Sequence, residues 1–171
     1  MRFQGKVWKF GDDIDTDLII PARFLNVSVV DELAKNCFSD MRPGFKDMIS
    51  QGDIIVAGKN FGSGSSREHA PLAIKGTGIS SIIAEGFARI FYRNAFNIGL
   101  PLVESVEASR ALNEGAMASV DLLTGEIEDM DTGRRFSAKP LPDFMRQIIE
   151  AGGLVDYVKR GKTLPNNRRL T

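Results

Sequence analysis

The sequence predicts one α/β domain, in which a small parallel or mixed sheet is flanked by helices and followed by a β-ribbon and a C-terminal helix. The chain has 171 residues, of which 43% are hydrophobic, enough for the core of one domain. Short apolar runs alternate with helical patterns in its centre, which is typical of parallel strands. Turn residues then separate alternating segments in residues 119–137, which is typical of an antiparallel ribbon.

The first third of the chain contributes a strand, an acidic loop and a helix. Weak alternation predicts a short strand over residues 5–10, and a polar, acidic loop follows at 11–17. The spacing of apolar residues predicts a helix over 29–38, with Ser28 as its N-cap. Residues 41–51 are compatible with a loop and a short helix.

Three short strands and two helices alternate through the centre of the chain. Continuous apolar runs, the pattern of strands buried on both faces, occupy residues 53–58, 80–84 and 101–104. Helical patterns lie between them at 67–75 and 88–97, and glycines follow each helix. This order implies parallel pairing with right-handed crossovers.

The last third of the chain predicts the ribbon and the C-terminal helix. Two turn-like sites lie within residues 119–137, and apolar residues share one face of a helix over 142–152. This helix extends over 153–159 after a break. We therefore expect one domain over residues 1–163 and a polar tail over 164–171.

Charge and cysteine content exclude several classes of protein. Lys plus Arg and Asp plus Glu number 22 each, so the chain lacks the concentrated positive field of a nucleic-acid or membrane-surface binder. No run approaches the ~20 apolar residues of a membrane span, and no signal peptide is evident, so we expect a cytoplasmic protein. The single cysteine, Cys37, cannot hold an iron–sulfur cluster, and with His69 alone it does not make a zinc site.

A loop rich in glycine and serine, at residues 60–66, is the strongest candidate for a site. It lies between a predicted strand and a helix, where ligands of parallel sheets bind. Its two central glycines allow a ligand to approach the main chain. Because the first N–H groups of a helix are unpaired and partially positive, the loop suits a carboxylate or phosphate. Arg67 adds a bidentate grip, and Ser65 and Ser66 add hydroxyls.

Other interpretations of this loop remain open. Ser65 or Ser66 could simply cap the following helix, with Glu68 or His69 completing its first turn. Nucleotide binding is weakly supported, because the phosphate-loop and dinucleotide spacings are missing. Ser65, His69 and Asp17 supply the residue types of a serine hydrolase, yet the G-x-S-x-G elbow is missing. A stand-alone anion-binding module would use the same loop without catalysis.

Two long motifs resemble those of the mobile C-terminal domain of the aconitase superfamily. They are GDDIDTDLIIP at residues 11–21 and GSGSSREHAP at 62–71, and IIAEGFARIF at 82–91 matches in character. The resemblance covers residues 3–160. The length of the chain matches the free-standing small subunits of the isopropylmalate dehydratase branch. The resemblance implies an aconitase swivel-like fold.

The resemblance also implies a hydro-lyase that works only with a large subunit of the isopropylmalate dehydratase type. That partner carries a [4Fe–4S] cluster, this chain carries no metal, and the substrate is a small dicarboxylate. Ser65 corresponds to the base that removes the proton α to a carboxylate, and Arg67 to a residue that holds a substrate carboxylate. Asp17 corresponds to a catalytic residue that faces the cluster and a catalytic group of the partner. Thr16 and Ser66 correspond to substrate-binding residues.

The segment after Pro21 is expected to select the substrate. Many members of the family carry a Tyr-Leu pair and two variable residues there, and this chain carries Phe24, Leu25, Asn26 and Val27. Members that act on tricarboxylates place an arginine at the position of Asn26. Leu25 and Val27 suit an alkyl group, so 2- and 3-isopropylmalate fit best, with 2,3-dimethylmalate or citramalate as alternatives. Alternatively, Phe24 and Leu25 only pack the domain.

Overall fold

Seven strands form one mixed sheet in the computed structural model, which describes residues 1–161. In chain order the strands are β1 (Arg2–Lys9), β2 (Ile54–Ala57), β3 (Ser81–Ala84), β4 (Leu102–Glu104), β5 (Met117–Asp121), β6 (Glu126–Asp129) and β7 (Arg134–Ser137). Across the sheet they follow the order β4-β3-β2-β1-β5-β6-β7. The α/β class with a mixed sheet is therefore confirmed.

Eight α-helices and one 3-10 turn accompany the sheet within residues 1–161. The 3-10 turn spans Ala22–Phe24. The helices are α1 (Thr16–Ile19), α2 (Val30–Lys35), α3 (Phe45–Met48), α4 (His69–Thr77), α5 (Arg89–Asn97), α6 (Val106–Ala111), α7 (Asp143–Ala151) and α8 (Leu154–Lys159). The helix predicted at the C-terminus and its extension after a break are both present.

The parallel half of the sheet is the one that the central pattern predicts. β2 pairs with β3, and β3 with β4, all parallel. β1 joins the two halves, because residues 7–9 pair in parallel with β2 while Arg2–Lys6 pair antiparallel with β5. The predicted ribbon is thus a three-stranded meander, β5 to β7, that continues the same sheet.

Two hydrophobic cores cover the two faces of the parallel strands. In β2, Ile55 and Ala57 belong to one core, whereas Ile54 and Val56 belong to the other. All four side chains are fully buried, which explains why this strand reads as an unbroken apolar run. Burying one Ile or Val side chain stabilises the fold by about 1.5–3 kcal/mol, so the two cores fix the sheet that carries the loops.

The predicted cap of α2 is wrong. The helix begins after Val29, whose carbonyl accepts the N–H groups of Glu32 and Leu33, and no side chain caps it. Ser28 is exposed and lies one residue too early to reach those donors. The helix also ends at Lys35, before the predicted end of the apolar pattern, and the chain turns instead through Phe38, which has a φ of 55°.

The helix after the glycine-rich loop begins later than predicted. It runs as α4 over His69–Thr77, and Gly78, with a φ of 104°, ends it. Gly76 was expected to stop the helix but lies inside it. A Cβ at Gly76 would come within 2.9 Å of Val30 Cγ1 and 3.0 Å of Ala34 Cβ, so this glycine lets α2 pack closely against α4.

The described part of the chain, residues 1–161, contains no helix long and apolar enough to cross a bilayer. The predicted domain boundary at 163 and the polar tail at 164–171 lie outside the described residues.

Candidate functional site

Two loops from distant parts of the sequence lie side by side at the carboxyl ends of β1 and β2. Parallel pairing continues beyond the strands, since Gly62 N–H donates to Ile14 O at 2.7 Å and Thr16 N–H donates to Ser63 O at 2.8 Å. Asp15 and Ser63 form an isolated parallel bridge. The two motifs at 11–21 and 62–71 therefore make one surface, where ligands of parallel sheets bind.

The acidic residues of the first loop serve mainly to hold the backbone. Asp15 caps α1 by accepting the N–H of Leu18 at 2.8 Å. Asp12 accepts the N–H of Lys59 at 2.7 Å, and Asp13 accepts the amide of Asn60 at 3.1 Å. These contacts attach the first loop to the second. Across residues 1–161, no group of three His, Cys, Asp or Glu side chains is arranged to hold a metal ion.

Ser65 is exposed and lies against buried Thr16. The two hydroxyl oxygens are 3.4 Å apart, and Thr16 Oγ1 is 3.3 Å from the carbonyl oxygen of Ser65. The N–H of Arg67 donates to that carbonyl at 2.9 Å. Thr16 itself is only 3% exposed, so its hydroxyl contacts Ser65 rather than solvent.

The interpretation of Ser65 or Ser66 as a helix cap is wrong. The N-cap position of α4 is Glu68, and no side chain bonds there. Within residues 1–161, the main-chain N–H groups of Ser65, Ser66 and Glu68 donate to no acceptor. The start of the helix therefore keeps free N–H donors beside the hydroxyls of Ser65 and Ser66, which is an arrangement that suits an anion.

Gly62 and Gly64 are required by the shape of this loop. Their φ values are 81° and 98°, in the left-handed region that disfavours other residues. A Cβ on Gly62 would overlap the ring of Phe91, which is buried. A Cβ on Gly64 would come within 3.2 Å of Thr16 Oγ1. The glycines thus allow the close approach of the two loops.

Arg67 forms an ion pair with Asp17 across the two motifs. Its Nη1 atom lies 3.1 Å from Asp17 Oδ1 and 3.4 Å from the carbonyl oxygen of Ile20. The same Oδ1 accepts the N–H of Ala22 at 3.0 Å. The Nε and Nη2 atoms of Arg67 bond to no acceptor in the described chain, so one edge of the guanidinium is available for a carboxylate.

An open depression joins these residues to the segment 24–27, which was expected to select the substrate. Its lining consists of Leu25, Ser66, Arg67, Glu68, His69 and Asn94. Asn94 comes from α5, and no role was predicted for it. Its contribution could not be read from the sequence, because nothing local to α5 shows which loop it faces.

In the segment 24–27, two side chains pack against the core and two lie at the surface. Phe24 and Val27 are partly buried against the core next to the parallel strands, as the packing alternative expects for Phe24. Leu25 lines the depression instead, and Asn26 is exposed. Leu25 is thus the apolar side chain of this segment that faces Arg67.

Arg23 is engaged away from the depression. Its guanidinium donates to both carboxylate oxygens of Asp40, at 3.0 and 2.6 Å, and lies 4.7 Å from the ring centre of Phe24. The hydrogen bond with Arg23 holds the pKa of Asp40 below its usual value, and the pKa of Arg23 is raised by the same contact. Arg23 therefore anchors the segment.

Cys37 does not fit an iron–sulfur cluster. Its side chain is completely buried in the hydrophobic core, and burial raises the pKa of the thiol well above its usual value. A cysteine that binds a cluster does so as a thiolate, whereas burial favours the protonated thiol of Cys37.

The fold and its paired loops define an aconitase C-terminal domain. The model of that family, the aconitase C-terminal domain, matches residues 14–106, which include most of the first loop and all of the second. A crystal structure of 3-isopropylmalate dehydratase from Methanocaldococcus jannaschii is 42% identical, with a TM-score of 0.88 over 94% of this chain and 95% of that one. This likeness confirms the swivel-like fold.

Curated relatives narrow the assignment further. The 3-isopropylmalate dehydratase small subunit of Halothermothrix orenii is 55% identical over 94% of this chain and 98% of its own length. That of Caldanaerobacter subterraneus is 58% identical over 91% of this chain and 97% of its own length. The chain belongs to the family of 3-isopropylmalate dehydratase small subunits.

Proposed function

We propose that this chain is the small subunit of a 3-isopropylmalate dehydratase, a hydro-lyase that interconverts 2- and 3-isopropylmalate in leucine biosynthesis. The observation that carries the proposal is the meeting of Ser65 and Arg67 on one surface, in a chain 51–58% identical to subunits of that name. Reversible dehydration of such a diacid needs two things: a group that holds a carboxylate and a group that moves the proton beside it.

Arg67 holds a substrate carboxylate in this proposal. Its free Nε–Nη2 edge presents two parallel donors, which match the two oxygens of a carboxylate. The unpaired N–H groups of Ser66 and Glu68 at the start of α4 add partial positive charge. Ser66 can donate its hydroxyl to the same group. These donors explain why a small dicarboxylate is the expected substrate class.

Ser65 is the base that takes the proton α to a carboxylate. A serine hydroxyl is weakly acidic, so its anion needs strong local stabilisation. Thr16 Oγ1, at 3.4 Å, can donate to the Ser65 oxygen, and the N–H of Ser66 and the positive charge of Arg67 lie in the same loop. A large subunit that covers the loop would exclude water and strengthen each of these interactions.

The remaining catalytic parts belong to the partner. We expect the [4Fe–4S] cluster on a large subunit, because Cys37 does not fit it and the described chain offers no other metal ligands in a group. Asp17 Oδ2 accepts no hydrogen bond within residues 1–161, so it can meet a catalytic group of the partner. We expect the complex in the cytoplasm, with no nucleic acid or membrane partner.

The apolar lining favours an alkyl-malate. Leu25 is the side chain of the segment 24–27 that faces the depression, and Arg23 is held by Asp40 and does not offer its charge to a third carboxylate. An isopropyl group fits such a surface better than a charged one. The related substrates 2,3-dimethylmalate and citramalate have smaller alkyl groups and remain alternatives.

Reconstitution tests the proposal. The chain is purified alone and co-expressed with an isopropylmalate dehydratase large subunit, and each preparation is assayed with 2- and 3-isopropylmalate, 2,3-dimethylmalate, citramalate and citrate. We expect turnover of isopropylmalate by the complex and none by the chain alone. Turnover by the chain alone would contradict the need for a partner. A complex without dehydratase activity would contradict the proposal and favour the alternative of a non-catalytic anion-binding module.

A further inference from the structure

We infer that Asp17 is a positioning residue, which orients the guanidinium of Arg67 and ties it to the substrate-selecting segment. This inference rests on the proposed function, in which Arg67 holds a substrate carboxylate. One oxygen atom makes both connections: Asp17 Oδ1 lies 3.1 Å from Arg67 Nη1 and 3.0 Å from the backbone nitrogen of Ala22.

The first connection determines which edge of Arg67 is offered to a ligand. Nη1 is held by Asp17 Oδ1 and by the carbonyl oxygen of Ile20, which leaves the Nε–Nη2 edge without an acceptor in the described chain. A guanidinium is planar, so fixing one nitrogen to two acceptors restricts the plane of the whole group. Arg67 is therefore held ready to grip a carboxylate by its opposite edge.

Burial makes this contact stronger for Arg67 than an ordinary surface pair. The Arg67 side chain is 19% exposed, whereas that of Asp17 is 64% exposed. A cation with little contact to water depends more on its protein acceptors for orientation. Covering the loop by a second subunit would remove the remaining solvent and reinforce the pair.

The second connection reaches the segment that selects the substrate. Ala22 begins the 3-10 turn Ala22–Phe24, which leads directly to Leu25 on the lining of the depression. The atom that orients Arg67 thus also fixes the start of this turn. A carboxylate and an alkyl group on one small substrate are separated by a few bonds, so their two binding groups must keep a fixed separation.

A double-mutant cycle on the complex with the large subunit tests the inference. The variants are Asp17→Ala, Asp17→Asn, Arg67→Ala and the pair Asp17→Ala with Arg67→Ala. The matched control is Asp31→Ala, which removes an exposed carboxylate from the first turn of α2. Each variant is assayed for kcat, KM and subunit affinity on the substrate that the parent complex turns over best.

Asp17→Ala should lower kcat/KM about tenfold or more, mainly through KM, as expected for losing a charged hydrogen bond. Asp17→Asn should lower it less, because an amide oxygen can still accept from both donors. In the Arg67→Ala background, measured at high enzyme concentration, Asp17→Ala should lower kcat/KM by a clearly smaller factor than in the parent, because the part of its effect that passes through Arg67 is already lost.

Two results would overturn the inference. Equal losses on Asp17→Ala with and without Arg67 would show that the carboxylate acts independently of the arginine. A loss of subunit affinity that accounts for the whole effect would assign Asp17 to the interface. A parent complex that prefers a substrate other than isopropylmalate would contradict the proposed function but not the role of Asp17. The double-mutant cycle can be measured with any substrate that the parent complex turns over.

Discussion

The Arg67 side chain is less exposed than that of Asp17, with which it pairs, and this asymmetry supports the role proposed for Arg67. Its Nη1 atom donates to Asp17 and to the carbonyl oxygen of Ile20, whereas its Nε–Nη2 edge has no acceptor in the described residues. Ser65, two residues earlier, is exposed and lies 3.4 Å from the Thr16 hydroxyl. Within a single turn of chain, one residue is therefore suited to hold a carboxylate and another to move a proton.

Arg67→Lys should raise KM and also lower kcat in the complex. A lysine keeps the charge but replaces the two-pronged edge by a point charge, so the carboxylate is held with less precise geometry. Steady-state assays with isopropylmalate give both constants. An Arg67→Lys complex with kcat and KM equal to the parent would mean that Arg67 is an ordinary surface residue.

Asn26→Arg should move the preference of the complex toward substrates with a third carboxylate. Asn26 is exposed and directly follows Leu25, which lines the depression, so we expect an arginine at this position to reach an added carboxylate. A charged hydrogen bond is worth about 1.5–3 kcal/mol, or roughly ten- to a hundredfold in kcat/KM. The same cation beside an isopropyl group would be desolvated and unpaired, so isopropylmalate should be used less well.

The comparison is between kcat/KM for isopropylmalate and for a homocitrate-like tricarboxylate, with the partner subunit present. Values that both stay within about twofold of the parent would show that residues 24–27 do not line the substrate pocket.

At the scale of elements, the site depends on how a loop joins β2 to α4. Parallel pairing of β1 and β2 sets the two loops side by side, and glycines with positive φ allow them to touch. The loop then rests on α5, because Gly62 lies against the ring of Phe91. The positions of Ser65 and Arg67 therefore depend on packing of their loop against α5, which begins more than twenty residues later in the sequence.

Gly62→Ala should destabilise the chain by about 2–4 kcal/mol, because the new Cβ meets Phe91 and the backbone conformation disfavours alanine. For a chain of this length, that corresponds to a fall of roughly 5–15 °C in the melting temperature. The matched control is Gly86→Ala, where a Cβ would meet no atom within 4 Å. Equal melting temperatures for the two variants would contradict the packing described for Gly62.

Elements with strong patterns were predicted and those with weak ones were not. The buried strands β2 to β4 stand out because both of their faces are apolar. The six-residue helix α6 was missed, since one and a half turns give too little periodicity, although Ser105 caps it by accepting the N–H of Ala108. Antiparallel pairing of β1 with β5 joins residues more than a hundred positions apart and leaves no local pattern.

The candidate site was predicted as two motifs but not as a set of contacts. Nothing in either motif shows that Asp17 pairs with Arg67, because that contact depends on the register of β1 and β2. The roles of Ser65, Asp17, Arg67 and their neighbours rest on resemblance and stay predictions. The capping interpretation could be rejected only when the free N–H groups and the actual start of α4 were visible.

At the scale of the whole molecule, ion pairs at the surface connect separate segments of the chain. Arg23 bonds to Asp40 across 17 residues, and Arg110 bonds to Glu85 across 25. The hydrogen bond from each arginine holds the pKa of its carboxyl partner below the usual value. At least the arginine of each pair is exposed to solvent, so each pair is weak and adjusts stability without determining the fold.

The stability of the chain should fall as the pH drops below about 4. Asp40 and Glu85 are more acidic in the folded chain than in the unfolded one, where their pKa values are about 3.9 and 4.3. Their contribution is therefore fully present above those values and is lost as the pH falls through the lower, folded-state values. Urea midpoints measured between pH 7 and pH 2.5 follow this loss.

Arg110→Ala is the control for the acid effect, because it removes the cation that depresses the pKa of Glu85. Its urea midpoint should depend less on pH below 4 than that of the parent. Identical pH profiles for parent and variant would show that the pair with Glu85 contributes nothing measurable.

In the proposed function, the chain as a whole presents one side of a catalytic site. Its hydroxyl, guanidinium and free N–H groups lie on one open surface at the carboxyl ends of the parallel strands. Its cysteine is enclosed in the core. A partner that brings the metal and closes over this surface would complete the site, and Ser65 would then lie at the centre of the chemistry.

The kcat of Ser65→Ala in the reconstituted complex is the most direct test of this account, with Ser28→Ala, an exposed serine before α2, as the control. The account predicts a fall of about a hundredfold or more in kcat for Ser65→Ala, the range for losing a catalytic base, with unchanged melting temperature and subunit affinity. Ser28→Ala should match the parent. A Ser65→Ala complex with near-normal kcat would contradict the account and assign the proton transfer to another residue.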